Sequence, residues 1–86
     1  MSDVHKHYLG DVAFELREMA LEAKRRYQAA KGTENEAYEA GRSFAFYEVM
    51  SLLVMQAQSF QMPVEDLRIQ GLDPDRDLLG DGSREV

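Results

Sequence analysis

The chain has no cysteine, no tryptophan, only two prolines, and no histidine beyond residue 7. Without cysteine, neither a disulfide nor a thiolate metal site can brace the fold, and the composition suits a reducing cytoplasm. His5 and His7 are confined to the N-terminus, so no nucleophile–base pair is recognisable. No glycine-rich phosphate loop or nucleophile elbow occurs either. The expectation is a protein that is not an enzyme and holds no cofactor. Long hydrophobic runs are also missing. The longest charge-free stretch, Val49 to Val64, contains three glutamines and two serines, whereas a membrane span needs about 20 mostly apolar residues. The N-terminal "MSDVHKHYLGDV" lacks the basic start and continuous apolar core of a signal peptide. A cytoplasmic chain with no membrane contact is expected.

Positive charge is scarce as well. The formal net charge is −6, with nine acids against seven bases in residues 1–62 and seven against three in residues 63–86. Phosphate backbones demand a concentrated cationic surface, so nucleic acid is disfavoured as a partner and a basic protein is favoured.

What is present is helical patterning. Apolar content of 44% over 86 residues is too high for a disordered chain. A chain this short buries only about 60–65% of its unfolded surface. One domain is expected over residues 1–80, with 81–86 as a flexible tail. In the first half, Leu9, Val12, Leu16, Met19, Ala20, Ala23, Tyr27 and Ala30 recur at spacings of three and four, which predicts a helix from near Asp3 or Gly10 to Lys31. Phe14 and Leu21, seven apart, fall on its outer face and suggest a second, smaller contact. Lys31-Gly32 suits a helix stop. Thr33 followed by Glu36 reads as a capping box that starts a second helix at about Glu34, running to about Gln61. A turn of two or three residues between long helices makes an antiparallel hairpin.

The second helix poses a covering problem. "FAFYEVMSLLVM", residues 44–55, holds nine apolar residues, a tyrosine, a serine and one carboxylate. On a helix, the apolar positions from Ala45 to Phe60 sweep roughly 200°, about twice what one neighbouring helix covers. A second copy of the chain is the simplest cover. The residues expected at that interface are Phe46, Val49, Met50, Leu53, Val54, Ala57 and Phe60. Glu48 lies off this arc between Phe44 and Met55. If buried there, it needs a cation or hydroxyl, with Arg42, Tyr47, Arg25 or Arg26 as candidates.

The C-terminal segment is punctuated by Pro63, Gly71, Asp73-Pro74 and Gly80. These predict one or two short helices that fold over one end of the hairpin, anchored by Val64, Leu67, Ile69, Leu72, Leu78 and Leu79. Its carboxylates Glu65, Asp66, Asp73, Asp75 and Asp77 form a candidate acidic surface for a basic partner.

Four sharper motifs are weaker than their plain alternatives. Asp73, Asp75 and Asp77 alternate as in a calcium loop, but Leu78 and Arg84 stand where that loop needs glycine and a bidentate glutamate. His7 and Asp11 share a helix face but give only two ligands, with His5 pointing elsewhere. The row Asp11, Glu15, Glu18, Glu22 lacks the Glu-x-x-His partners of a di-metal bundle and reads as a solvated face. Residues 56–70 have a helix-turn-helix look, yet the reading segment carries Glu65 and Asp66 against one arginine, Arg68.

The expected architecture is all-α: an antiparallel hairpin with one or two short C-terminal helices, dimerising into a four-helix bundle. The expected function is that of a small acidic interaction module, such as an adaptor, antitoxin or immunity-type inhibitor. A nucleic-acid-associated regulator using residues 56–70 and a ligand- or metal-binding bundle are the alternatives.

Overall fold

The computed structural model describes residues 3–79. Two long helices, α1 (Asp3–Ala30) and α2 (Glu36–Ser59), pack side by side. They are followed by one 3-10 turn at Val64–Leu67 and one π-helical turn at Asp75–Leu79, and no strand occurs among the described residues. The all-α hairpin expected from the sequence is therefore the fold. The expected tail, residues 81–86, lies outside the described residues.

The two helices meet through small residues on one side and larger ones on the other. α1 buries Ala13, Ala20, Ala23 and Ala30, none larger than a methyl group, so α2 comes close. α2 answers with Met50, fully buried, and Ala57, with Ser43 also buried. Leu16, Phe46, Leu53 and Val54 are half-buried around this seam. Burying an apolar side chain contributes about 1.5–3 kcal/mol, and Met50 is the largest such contribution from the hairpin itself.

The connection differs from the expected capping box, and the side chains show why. The Thr33 hydroxyl donates to the Ala30 carbonyl at 2.6 Å and accepts the Asn35 amide at 3.2 Å. It closes α1 and shapes the turn rather than capping α2. The Glu36 carboxylate accepts the amide of Gly32, not of Thr33, at 3.0 Å. Gly32 sits at φ +83°, the left-handed conformation that favours glycine after a helix. The result is a five-residue loop, and α2 begins at Glu36 rather than Glu34.

After α2 the chain turns back as a strap running along the hairpin, not over one end of it. Its 3-10 turn lies against the start of α1. A Cβ at Gly10 would stand 3.0 Å from the Asp66 carbonyl oxygen, so this close approach requires glycine. Arg68, in the left-handed conformation at φ 59°, ends that turn. It lays its guanidinium 4.4 Å from the Phe14 ring centre and pairs with Asp11 at 2.9 Å. Leu67, Ile69 and Leu78 are buried, Val64 and Leu72 are half-buried, and Leu79 is exposed. Of Phe14 and Leu21, unexplained by the main stripe of α1, Phe14 lies under Arg68 of the strap and Leu21 is half-buried against the core.

Candidate interaction surfaces

The strap leaves the hairpin with two unlike faces. On α1 the residues that meet it are Lys6, Gly10, Phe14 and Lys24. At 100° per residue all four fall on one flank of the helix. On α2, Tyr47 meets it, donating its hydroxyl to Asp75 at 2.8 Å, and clefts between helix and strap are lined by Ser51, Val54 and Met55 on one side of Tyr47 and Ala40, Ser43 and Phe44 on the other. In an antiparallel pair the strap-bearing flanks look the same way, so the opposite flanks form the other face.

Among the described residues nothing covers that other face. It presents Leu9, Val12 and Met19 from α1, 38–46% exposed, and Val49 and Phe60 from α2, 39% and 77% exposed. Half-buried Leu16, Phe46 and Leu53 form its floor. The molecule measures 47 × 26 × 15 Å, so in its thinnest direction it is little more than one helix deep. A single layer of helices cannot bury both of its faces, and one strap covers only one.

The seven residues expected at the copy–copy interface divide accordingly. Met50 and Ala57 are enclosed within the single chain, because the alanine seam of α1 lets α2 sink onto them. They are not surface for a partner. Phe46, Leu53 and Val54 are half-buried, Val54 on the strap side. Val49 and Phe60 remain on the open face. Sequence reasoning missed Val12 and Met19 there, having given the whole stripe of α1 to the hairpin.

Arg42 borders the open face with its Cζ 5.4 Å from the Phe46 ring centre. Its Nη1 is shielded from water, with no hydrogen-bond partner among the described residues, as is Glu39 Oε1. Buried polar atoms of this kind are uncommon. Glu48, by contrast, is exposed and lies well round the helix from Arg42. The expected pairing with Arg25 or Arg26 does not form, because both contact Glu22, at 2.8 Å and 3.4 Å.

The acidic segment is largely occupied with holding the strap. Asp73 Oδ1 accepts the Asp75 and Arg76 amides, capping the π-helical turn, while Asp77 returns a carboxylate oxygen to the Asp73 amide at 2.9 Å. Asp66 pairs with Lys6 at 3.5 Å and Asp75 with Tyr47. Lys24, buried on α1, places Nζ 3.5 Å from the Asp77 carbonyl oxygen. Glu65 is exposed. Neutralising Asp73, Asp75 and Asp77 together would therefore disturb the fold, not only a docking surface.

These contacts give a pH dependence with a definite sign. The Arg76 hydrogen bond holds the Asp77 carboxyl below its ordinary value of 3.8, against an opposing effect of burial and with help from the Asp73 amide and Lys24. The stability it adds is complete above that ordinary value and is lost as pH falls through the depressed folded value. The Tyr47 phenol is raised above 10.0, chiefly by its hydrogen bond to Asp75, so its contribution is complete below 10.0 and lost as pH climbs through the folded value. Amide exchange at Leu67, Ile69 and Leu78 should accelerate before that of Ala20 and Met50 on acidification below pH 3.8, and Asp77→Asn should flatten the step.

The alternative sites weighed in the sequence are not assembled among the described residues. Residues 56–70 contain the end of α2 and a four-residue 3-10 turn, so no second helix is long enough to enter a DNA groove. The row Asp11, Glu15, Glu18, Glu22 lies exposed on α1, with Glu18 bound to Arg17 and Glu22 to Arg25. Among the described residues no three metal-ligating side chains converge, and no helix is long and apolar enough to cross a membrane. Comparison with protein-family models, curated proteins and solved structures finds no match. Function must be read from the surfaces themselves.

Proposed function

We propose that the protein is a small acidic protein-interaction module of the adaptor or inhibitor kind that works in the cytoplasm as a homodimer. Its open face seats a second copy to complete a four-helix bundle. The carrying observation is the uncovered row of Leu9, Val12, Met19, Val49 and Phe60 on a chain little more than one helix thick. Monomers rarely expose contiguous apolar patches beyond a few hundred Å². A molecule 47 Å by 26 Å across has room on one face for the roughly 800 Å² per partner that a stable interface buries. A two-fold axis lets the same face cover itself, burying several large side chains at about 1.5–3 kcal/mol each. The cysteine-free composition favours the cytoplasm.

The absence of native cysteine makes cross-linking a clean test. Single cysteines at Val12, Met19 and Val49 should give covalent dimers with a short bismaleimide. Cysteines at Glu18 and Glu22, on the outer side of α1, should give none. Equal yields from both sets would contradict the proposed interface.

A further inference from the structure

A second apolar surface lies on the back of α2, the side turned away from α1, distinct from the open face. Phe44, Leu52 and Met55 are 49%, 54% and 60% exposed there, and a Cβ at Gly41 would meet nothing within 4 Å. At 100° per residue Glu48 falls close to the midline of this ridge, flanked by all three large side chains. It is the only charged residue between Arg42 and Glu65. Its side chain is exposed, and among the described residues no ion pair or hydrogen bond reaches its carboxylate.

We propose that this ridge docks an amphipathic helix of a different protein, one carrying a lysine or arginine at the centre of its apolar face to pair with Glu48. The inference rests on the reading of the chain as an interaction module and names the chemistry of its partner. Anything that covers Phe44, Leu52 and Met55 also removes water from Glu48, and a desolvated carboxylate must be matched by a cation. A second copy of this chain meeting it ridge to ridge cannot supply one. Pairing two ridges about a two-fold brings two Glu48 carboxylates into one dry seam, which is unfavourable. The open-face row of Leu9, Val12, Met19, Val49 and Phe60 is apolar and has no such obstacle. The two surfaces thus select different occupants, self for one and a cationic helix for the other. A chain with net charge −6 further favours a basic partner. The spacing of Phe44, Glu48, Leu52 and Met55 matches the repeat by which one helix reads another.

The test uses three synthetic peptides of about 18 residues, long enough for five helical turns. Each has a leucine face whose central position is lysine, glutamate or norleucine. Binding is followed by fluorescence anisotropy to the wild type, Glu48→Gln and Glu48→Lys at physiological salt. The wild type should bind the lysine peptide about tenfold or more tighter than the glutamate peptide. Glu48→Gln should lose that preference and Glu48→Lys should reverse it. The same ranking for all three proteins, or no binding of any peptide, would overturn the proposal. Sedimentation of the same variants separates the two surfaces. An unchanged association state supports the assignment, while tighter self-association of Glu48→Gln would mean that the ridge pairs with another copy. A monomeric wild type that still shows the charge reversal would count against the open-face dimer alone.

Discussion

Met50→Glu should leave the chain unfolded. Met50 is fully enclosed between the alanine face of α1 and its neighbours on α2. Deleting a buried side chain of this size costs about 2–5 kcal/mol, and burying an unpaired carboxylate adds several more. A domain has about 5–15 kcal/mol in total, with an 86-residue chain at the lower end. Far-UV circular dichroism should show loss of helix at ordinary temperature. Met50→Leu, close in volume, should cost less than about 1.5 kcal/mol and keep a cooperative melt. A helical, cooperatively melting Met50→Glu would mean that the seam is not the core.

The second large effect lies on the open face. Met19→Glu and Val49→Glu in one chain put two carboxylates into the proposed copy–copy interface without touching the Met50 seam. Their hosts are 46% and 39% exposed in the single chain, so the hairpin should tolerate them. Buried together at a two-fold, they place four like charges in one dry layer, which should weaken association at least about a hundredfold. The double variant should elute with half the wild-type mass while remaining helical, and its thermal midpoint should fall because dimerisation no longer supports the fold. Loss of helix without any change in association state would show that these positions serve the hairpin.

The hairpin was legible because its signals are local. The three-and-four spacing of α1, Gly32 after its last turn and the carboxylate of Glu36 each act within a few residues, so the end of α1 and both ends of α2 came out within about two residues of expectation, and of the two expected starts of α1 the chain takes Asp3. The exception at Thr33 is instructive: its hydroxyl had a nearer acceptor in the Ala30 carbonyl, and a motif read from spacing cannot rank competing acceptors. Phe14 and Leu21 also gave a true signal of a second contact. Without the path of the strap, that signal could not name Arg68 as the cover.

The surfaces were harder to read, since they depend on which parts of a broad apolar arc the chain uses for itself. α2 is apolar almost all round, so its pattern says that it must be covered but not by what. The alanines of α1 settled the matter by drawing Met50 and Ala57 inward, which left Val49 with Val12 and Met19 outside. The acidic segment has a structural part that spacing could not show, for a related reason. Asp73, Asp75 and Asp77 resemble a free charged surface in sequence, yet backbone amides, Tyr47 and Arg76 take them up once the strap lies down.

Sedimentation equilibrium of the wild-type chain, run from nanomolar to high micromolar protein alongside thermal melts of the same samples, tests the homodimer most directly. At micromolar concentration the mass should be twice 9.8 kDa, with the thermal midpoint falling on dilution as mass action requires. A single species of 9.8 kDa across the range, fully helical and with a midpoint independent of concentration, would contradict it.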